Sequence, residues 1–333
     1  EEKFAYLSFT DFFYNVRSMI LPELYLITQE VPKADIYHAT ATGYSGILGS
    51  LGKWKYNKPF ILTEHGIYTR EREEELLRAQ WVLPYFKNQW INLFHLFSDC
   101  AYSHADVVTA LFRRANEAQM ELGCDENKLR VTPNGVHIER FADVPDKPED
   151  GWTDIGAIVR IARIKDIKTM IYAFAEVKRE IGNVRLHIMG DIDDGEYYEA
   201  CRTLIEQLGV QDIIFTGSVD VAEYIKKLDF IILTSISEGQ PLSVLEAFAA
   251  GRACVTTDVG CCRELIEGND GLGEAGICVP PMNKEQVAQA MLELCREPFT
   301  RKRMGAVGRE RVRKYYTHDI SMENYKRLYQ EVV

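Results

Sequence analysis

No apolar run in this chain reaches the ~18 residues that a membrane-spanning helix needs. Nothing at its start has the basic-then-apolar pattern of a signal peptide. Cations are in short supply: 39 Lys and Arg stand against 50 Asp and Glu, a net charge of −11. That argues against a nucleic-acid partner held through its phosphate backbone, and it disfavours docking on anionic lipid. The eight cysteines (Cys100, Cys124, Cys201, Cys254, Cys261, Cys262, Cys278 and Cys295) form no C-x-x-C, and no His/Cys set has zinc-ligand spacing. They read as reduced, mostly buried thiols of a cytoplasmic protein. Cys261 and Cys262 are adjacent, but Gly260 and Arg263 beside them suggest a helix start. A Ser/His/Asp order with an elbow, a P-loop and an H-E-x-x-H are all missing, so hydrolase and kinase readings have no support. There is no repeat and no low-complexity tract.

What is present is an α/β alternation. The 333 residues suffice for two domains, and 46% are hydrophobic, as in an ordinary globular protein. Up to about residue 142, strands are expected at 35–38, 59–63, 106–111 and 129–132. A small-residue helix opens at 43–52, and a long aromatic helix covers 81–103. Pro133-Asn134-Gly135 is a turn signal. This order argues for a mostly parallel sheet, although the first domain is short and lacks a Gly-rich first βα turn. Residues 144–152, VPDKPEDGW, are Pro-rich, acidic and without period, and read as a linker. The alternation then restarts: strands at 154–161, 184–189, 213–216, 230–233, 253–257 and 277–279, with helices at 167–180, 196–208, 221–227 and from Pro241. About six strands make a full doubly wound domain. From Lys284 the tail is helical and charged.

The stretch 230–251, FIILTSISEGQPLSVLEAFAAG, organises the second domain. A short buried strand leads into a polar turn and then a helix, with Pro241 suited to its first position and Gly251 to the residue past its end. Unpaired N–H groups and the macrodipole make such a helix N-terminus an anion site. Glu238 in the turn lies at the crevice where open α/β sheets take ligands. Glu246, eight residues on, can accept hydrogen bonds from vicinal hydroxyls. A phosphate and hydroxyls together fit a nucleotide-sugar, while on spacing alone the stretch is equally an ordinary βα unit with two solvated glutamates. Arg160 and Lys165 flank the turn after the domain's first strand and could clamp a diphosphate; taken alone they read as solvated surface cations. His65, ending the second strand, is either a substrate contact or a satisfied structural histidine. His38, at another strand end, has a weaker claim. Residues 63–72, TEHGIYTRER, are unusually polar for a plain loop and could face an acceptor.

Together these residues resemble the retaining glycosyltransferases of family four, which have the two-domain GT-B architecture. Glu238-Gly-Gln-Pro-Leu-Ser-Val-Leu-Glu246 is similar to the family's E-x-seven-E element, and Arg160 with Lys165 to its Arg/Lys pair on the donor diphosphate. PNGV at 133–136 resembles the close of its first domain. The segments 38–46, 63–72, 163–169 and 215–221 narrow the likeness to cytosolic enzymes of exopolysaccharide synthesis. The resemblance implies two Rossmann-like domains with a cleft between them, at 1–143 and 144–316, and a helix at 317–333 packing back toward the first. It implies a UDP-sugar donor, UDP-glucose foremost, a glycan acceptor, a membrane polysaccharide synthase as partner, and neither cofactor nor metal. Glu246 would take the ribose hydroxyls. Gly239, Leu242 and Ser243 would lie along the phosphates, and Ser218 and Val219 along the base. Glu238 and His65 would meet the donor sugar, and Arg160 and Lys165 the departing diphosphate. The family's N-terminal Gly-rich loop is absent, and the chain opens at Glu1 without Met, so an incomplete first domain is expected. His137 stands where the family has Asp, and Ala253 where it has Pro. A sugar-nucleotide epimerase and a non-catalytic UDP-sugar-binding subunit are the alternative readings.

Overall fold

The computed structural model describes residues 7–142 and 144–333. The chain divides into two compact units. One comprises Glu1–Pro133 with Asn324–Val333, the other Asn134–Glu323. Each is an α/β unit built on one parallel sheet.

Among the described residues of the first unit, four parallel strands lie in chain order: β1 Tyr37–Ala39, β2 Phe60–Glu64, β3 Val107–Ala110 and β4 Leu129–Val131. β2 and β3 are buried at every position, as strands with neighbours on both sides and helices on both faces must be. The helices are α1 Phe9–Ile27, α2 Tyr44–Tyr56, α3 Tyr68–Arg78, α4 Pro84–His104 and α5 Arg113–Glu121. The C-terminal end of the chain also belongs here: Leu328 packs in one cluster with Ile61 and Val107. His38 at the end of β1 bonds Tyr329 Oη through Nδ1 (2.7 Å) and Thr63 Oγ1 through Nε2 (2.8 Å).

In the second unit six parallel strands appear in the order β10-β9-β8-β5-β6-β7: β5 Thr153–Ile158, β6 Val184–Met189, β7 Ile213–Gly217, β8 Phe230–Leu233, β9 Ala253–Thr257 and β10 Gly276–Val279. The chain winds outward from β5 to β7, then resumes on the other side of β5 with β8. The strand order therefore reverses between β5 and β8. Its helices are α6 Ile167–Glu180, α7 Gly195–Leu208, α8 Val221–Tyr224, α9 Leu242–Ala249, α10 Cys262–Glu267, α11 Lys284–Arg296 and α12 Pro298–Tyr315, and α13 His318–Val332 begins in this unit. Among the described residues no helix is long and apolar enough to cross a membrane.

Several expectations shift. The boundary between the units falls after Pro133, not after residue 143 (which lies outside the described residues), and the returning segment begins at Asn324, not 317. The reason lies in the PNGV turn. Val136 bridges Thr317, and Val136 N and His318 N donate to the Tyr316 and Val136 carbonyls respectively. A Cβ on Gly135 would sit 2.1 Å from the Thr317 carbonyl oxygen, so only glycine fits there. Residues 144–152 are no free linker. Lys147 is nearly buried and pairs with Asp150 (2.9 Å), Asp154 (2.5 Å) and Asp229 (3.3 Å). The polar stretch 63–72 is a loop only briefly: α3 starts at Tyr68, and its charges are the solvated face of a helix that buries Thr69 and Leu76. Charge density mimicked a loop because Arg72–Glu75 and Arg78–Glu74 pair along the helix.

Candidate functional site

β5 and β8 are adjacent, and their following loops lead to helices on opposite faces, which opens a crevice at the carboxyl ends of the strands. The two loops are stitched together. Thr234 Oγ1 donates to the carbonyls of Lys165 (3.1 Å) and Asp166 (3.0 Å), and Ile236 N donates to the Ile164 carbonyl (2.9 Å). Thr257 Oγ1, at the end of β9, donates to the Ser235 carbonyl (2.6 Å). Asp166, in the left-handed region at φ +44°, caps α6 by accepting from Thr169 N.

This scaffold sets Lys165 against Glu238. Their Nζ–Oε1 distance is 2.5 Å, and Ser235 Oγ donates to the same oxygen at 2.5 Å. The side chains are only 17% and 11% exposed, so the pair is held in reduced dielectric. The turn carrying Glu238 and Gly239 is pressed onto Gly260. A Cβ there would lie 2.3 Å from both their carbonyl oxygens, at φ +55°. Cys261 N donates to the Gly239 carbonyl (3.1 Å). Gln240, nearly buried, accepts from Asn134 N (2.7 Å) and so ties the turn to the PNGV loop.

α9 follows at once. Pro241 is its N-cap, one position earlier than the sequence suggests, and no side chain caps it. Leu242 is exposed and Ser243 half-buried. Their end of the helix carries the positive pole and can receive an anion. Glu246 is the fifth residue of α9 and half-buried. Burial raises its pKa, and the charge of Arg140 partly offsets this. Arg140, on the 3-10 turn Ile138–Phe141, also pairs with Asp220 at 3.5 Å. Asp220 closes the loop after β7, where Ser218 is exposed and Val219 half-buried. Arg140 thus stands between Glu246 and the Ser218–Val219 loop.

The structure therefore gathers Lys165, Glu238, Gly239, Leu242, Ser243 and Glu246 on two stitched loops and one helix. Arg160 is in the same loop as Lys165, but its exposed side chain pairs with Asp193 in the loop after β6. That contact leaves it on the surface, where an ion pair contributes about 1 kcal/mol or less. His65 is an exposed residue of the first unit, at the end of β2. His38 is the satisfied histidine: both its ring nitrogens are bonded within that unit. Sequence reasoning missed Arg140, Ser235 and Gln240. The Arg140-Phe141 pair just after PNGV was the available signal for the first; nothing local marks the others. It also passed over Glu64 beside His65. Glu64 is 2% exposed and accepts from Tyr102 Oη (2.7 Å), Gln119 Nε2 (2.9 Å) and Tyr68 N (3.4 Å). Burial raises its pKa against those bonds.

Residues 153–297 match the family model described as Glycosyl transferases group 1, and residues 1–127 match a Domain of unknown function (DUF3492). The match to the glycosyltransferase family thus falls within the second unit. The chain is 25% identical over 265 residues to an MMP alpha-(1->4)-mannosyltransferase of Mycolicibacterium hassiacum, which is 77% of this chain and 61% of the relative. It is 28% identical over 325 residues to an alpha-monoglucosyldiacylglycerol synthase of Streptococcus pneumoniae, 88% of this chain and 68% of that one. The chain thus matches less than two thirds of the mannosyltransferase's length. Among solved structures, HepE of Anabaena in complex with UDP-glucose superposes with a TM-score of 0.69 at 16% identity, covering 89% of this chain and 79% of that one. The fold is GT-B, two Rossmann-like α/β domains with parallel sheets.

Proposed function

We propose that this chain is a retaining glycosyltransferase that moves a hexose from a UDP-sugar, UDP-glucose foremost, onto a growing exopolysaccharide or other glycan. The observation that carries the reading is the Lys165–Glu238 pair at the uncapped start of α9, with Glu246 one turn further on. The crevice offers a cation and a helix pole for a diphosphate, and a half-buried carboxylate for ribose hydroxyls. The UDP-glucose in the HepE complex and the hexosyl transfers named for the two relatives agree with it.

In this reading the diphosphate oxygens lie against the amides of Leu242 and Ser243, and Lys165 turns from Glu238 toward them. Glu238, released, meets the donor sugar, with His65 from the first unit assigned to the same sugar. Charge that develops on the leaving phosphate is met by dipoles already in place, which is where most of the rate gain of such a site arises. Front-face attack retains the configuration, and the departing phosphate takes the acceptor's proton. Arg160 contributes only after leaving Asp193. Ser218 and Val219 line the base beyond Arg140. The donor is a substrate, and the reading calls for no cofactor and no metal.

More narrowly, the segments TEHGIYTRER and EGQPLSVLEA support a role like that of PelF, the glycosyltransferase of Pel exopolysaccharide synthesis. A cytoplasmic location and a membrane synthase as partner belong to the same reading. The test is transfer from UDP-glucose to an oligosaccharide acceptor, with the anomeric configuration of the product read by NMR. An α-linked product supports the proposal. Binding of UDP-glucose without transfer, in a chain extended at its N-terminus, would make the protein a binding subunit. Interconversion of free UDP-sugars would make it an epimerase.

A further inference from the structure

The amino ends of the second sheet carry a separate cluster of cations. Asp229 stands just before β8 and Arg252 just before β9, and Lys147 reaches Asp154 at the start of β5. α12 brings Arg301, Lys302 and Arg309 to the same place. Together they line a cavity of about 250 Å³, room for several waters at ~30 Å³ each. The four residues of β8 put roughly 13 Å between this cavity and the crevice at the other end of the strand. Five cations face two carboxylates here, on a chain whose net charge is −11.

Half of the cluster satisfies itself. Asp229 accepts from Arg301 (2.8 Å), from Asp154 N (2.8 Å) and pairs with Lys147 (3.3 Å). The other half does not. Arg252 is 5% exposed and donates to the carbonyls of Pro145 (2.6 Å) and Ile225 (3.4 Å). Arg309 donates to the Ala250 carbonyl (2.9 Å), but among the described residues its buried Nε has no partner. Lys302 reaches Asp146 at 3.0 Å. Asp146 serves all three cations while 69% exposed, and stands 3.9 Å from Arg252. Two guanidiniums and an ammonium thus converge on a cavity whose loosely held counter-charge is Asp146; Asp229, already shared by Lys147 and Arg301, adds only to the field at Arg252.

We propose that this cavity is a binding site for a compact phosphate-bearing anion, held by Arg252, Arg309 and Lys302, with Asp146 as the internal group it displaces. A phosphate dianion can accept from two planar forks and a point charge at once, whereas a single carboxylate neutralises only one of them. The site is independent of the crevice.

The test titrates inorganic phosphate, glucose 6-phosphate and citrate into the whole chain by calorimetry, with and without saturating UDP. Inorganic phosphate is expected to bind once per chain, equally in both conditions; binding of the hexose phosphate as well adds that an ester is accommodated. Lys302→Gln should weaken binding roughly fivefold or more. Asp146→Asn should tighten it, an outcome that a merely structural ion pair does not give. Both side chains are mostly exposed, so the fold is spared. Four results would each overturn the proposal: no phosphate binding at millimolar concentration, competition by UDP, binding of citrate alone, or unchanged affinity in both variants.

Discussion

Glu246 and Lys165 place different demands on the protein. The Glu246 carboxylate is half-buried, and among the described residues nothing hydrogen-bonds it, so its raised pKa reflects a desolvation cost that the charge of Arg140 offsets only in part. A group of this kind stabilises the fold below its unfolded pKa and loses that contribution as pH rises through the folded value. Glu246→Gln should therefore leave stability at pH 7 unchanged or higher. Loss of a charged hydrogen bond to the ribose should weaken UDP about tenfold, or ~1.4 kcal/mol. Calorimetry beside thermal melts checks both, and an unchanged affinity removes Glu246 from the site. Lys165 is the reverse case. Its removal strands Glu238 at 11% exposure, so Lys165→Ala should lose about 3 kcal/mol in denaturant unfolding. Restoring neutrality with Glu238→Gln in the same chain should return most of it. If the single variant is as stable as the parent, the pair is not a buried one.

At the level of elements, the crevice depends on close backbone approaches. Gly260→Ala should cost about 2 kcal/mol, from strain at positive φ and collision with the Glu238–Gly239 turn, and should weaken UDP with it. A normal melting temperature with normal affinity would contradict the packing described. α13 gives a pH-dependent counterpart. His38 holds Thr63 and Tyr329 as a neutral ring, and burial, with the nearby His65, depresses its pKa. Its stabilisation is full above the unfolded value near ~6.5 and is lost as pH falls below it. Melts between pH 8 and 5 should show this loss, and His38→Gln should flatten it.

These elements also show what the sequence could reveal. The strand–turn–helix of 230–251 was legible because apolar run, glycine-bearing turn and proline start each have local causes. So was the six-stranded second sheet. The partition of the chain was not. It depends on Gly135 meeting the Thr317 carbonyl and on Lys147 meeting Asp154 and Asp229, contacts between residues far apart in sequence. Arg160 and Lys165 looked equivalent by spacing, yet Asp193 holds one and Glu238 the other. For the same reason charge alone misread α3.

For the molecule as a whole, the central proposal is that the crevice between β5 and β8 binds a uridine nucleotide. The direct measurement is calorimetric titration of the chain with UDP, UDP-glucose, ADP-glucose and NAD, repeated on Glu246→Gln. One site per chain is predicted, which prefers the uridine nucleotides and is weakened about tenfold by the substitution. Equal binding of all four nucleotides, or UDP binding that Glu246→Gln leaves untouched, would contradict it.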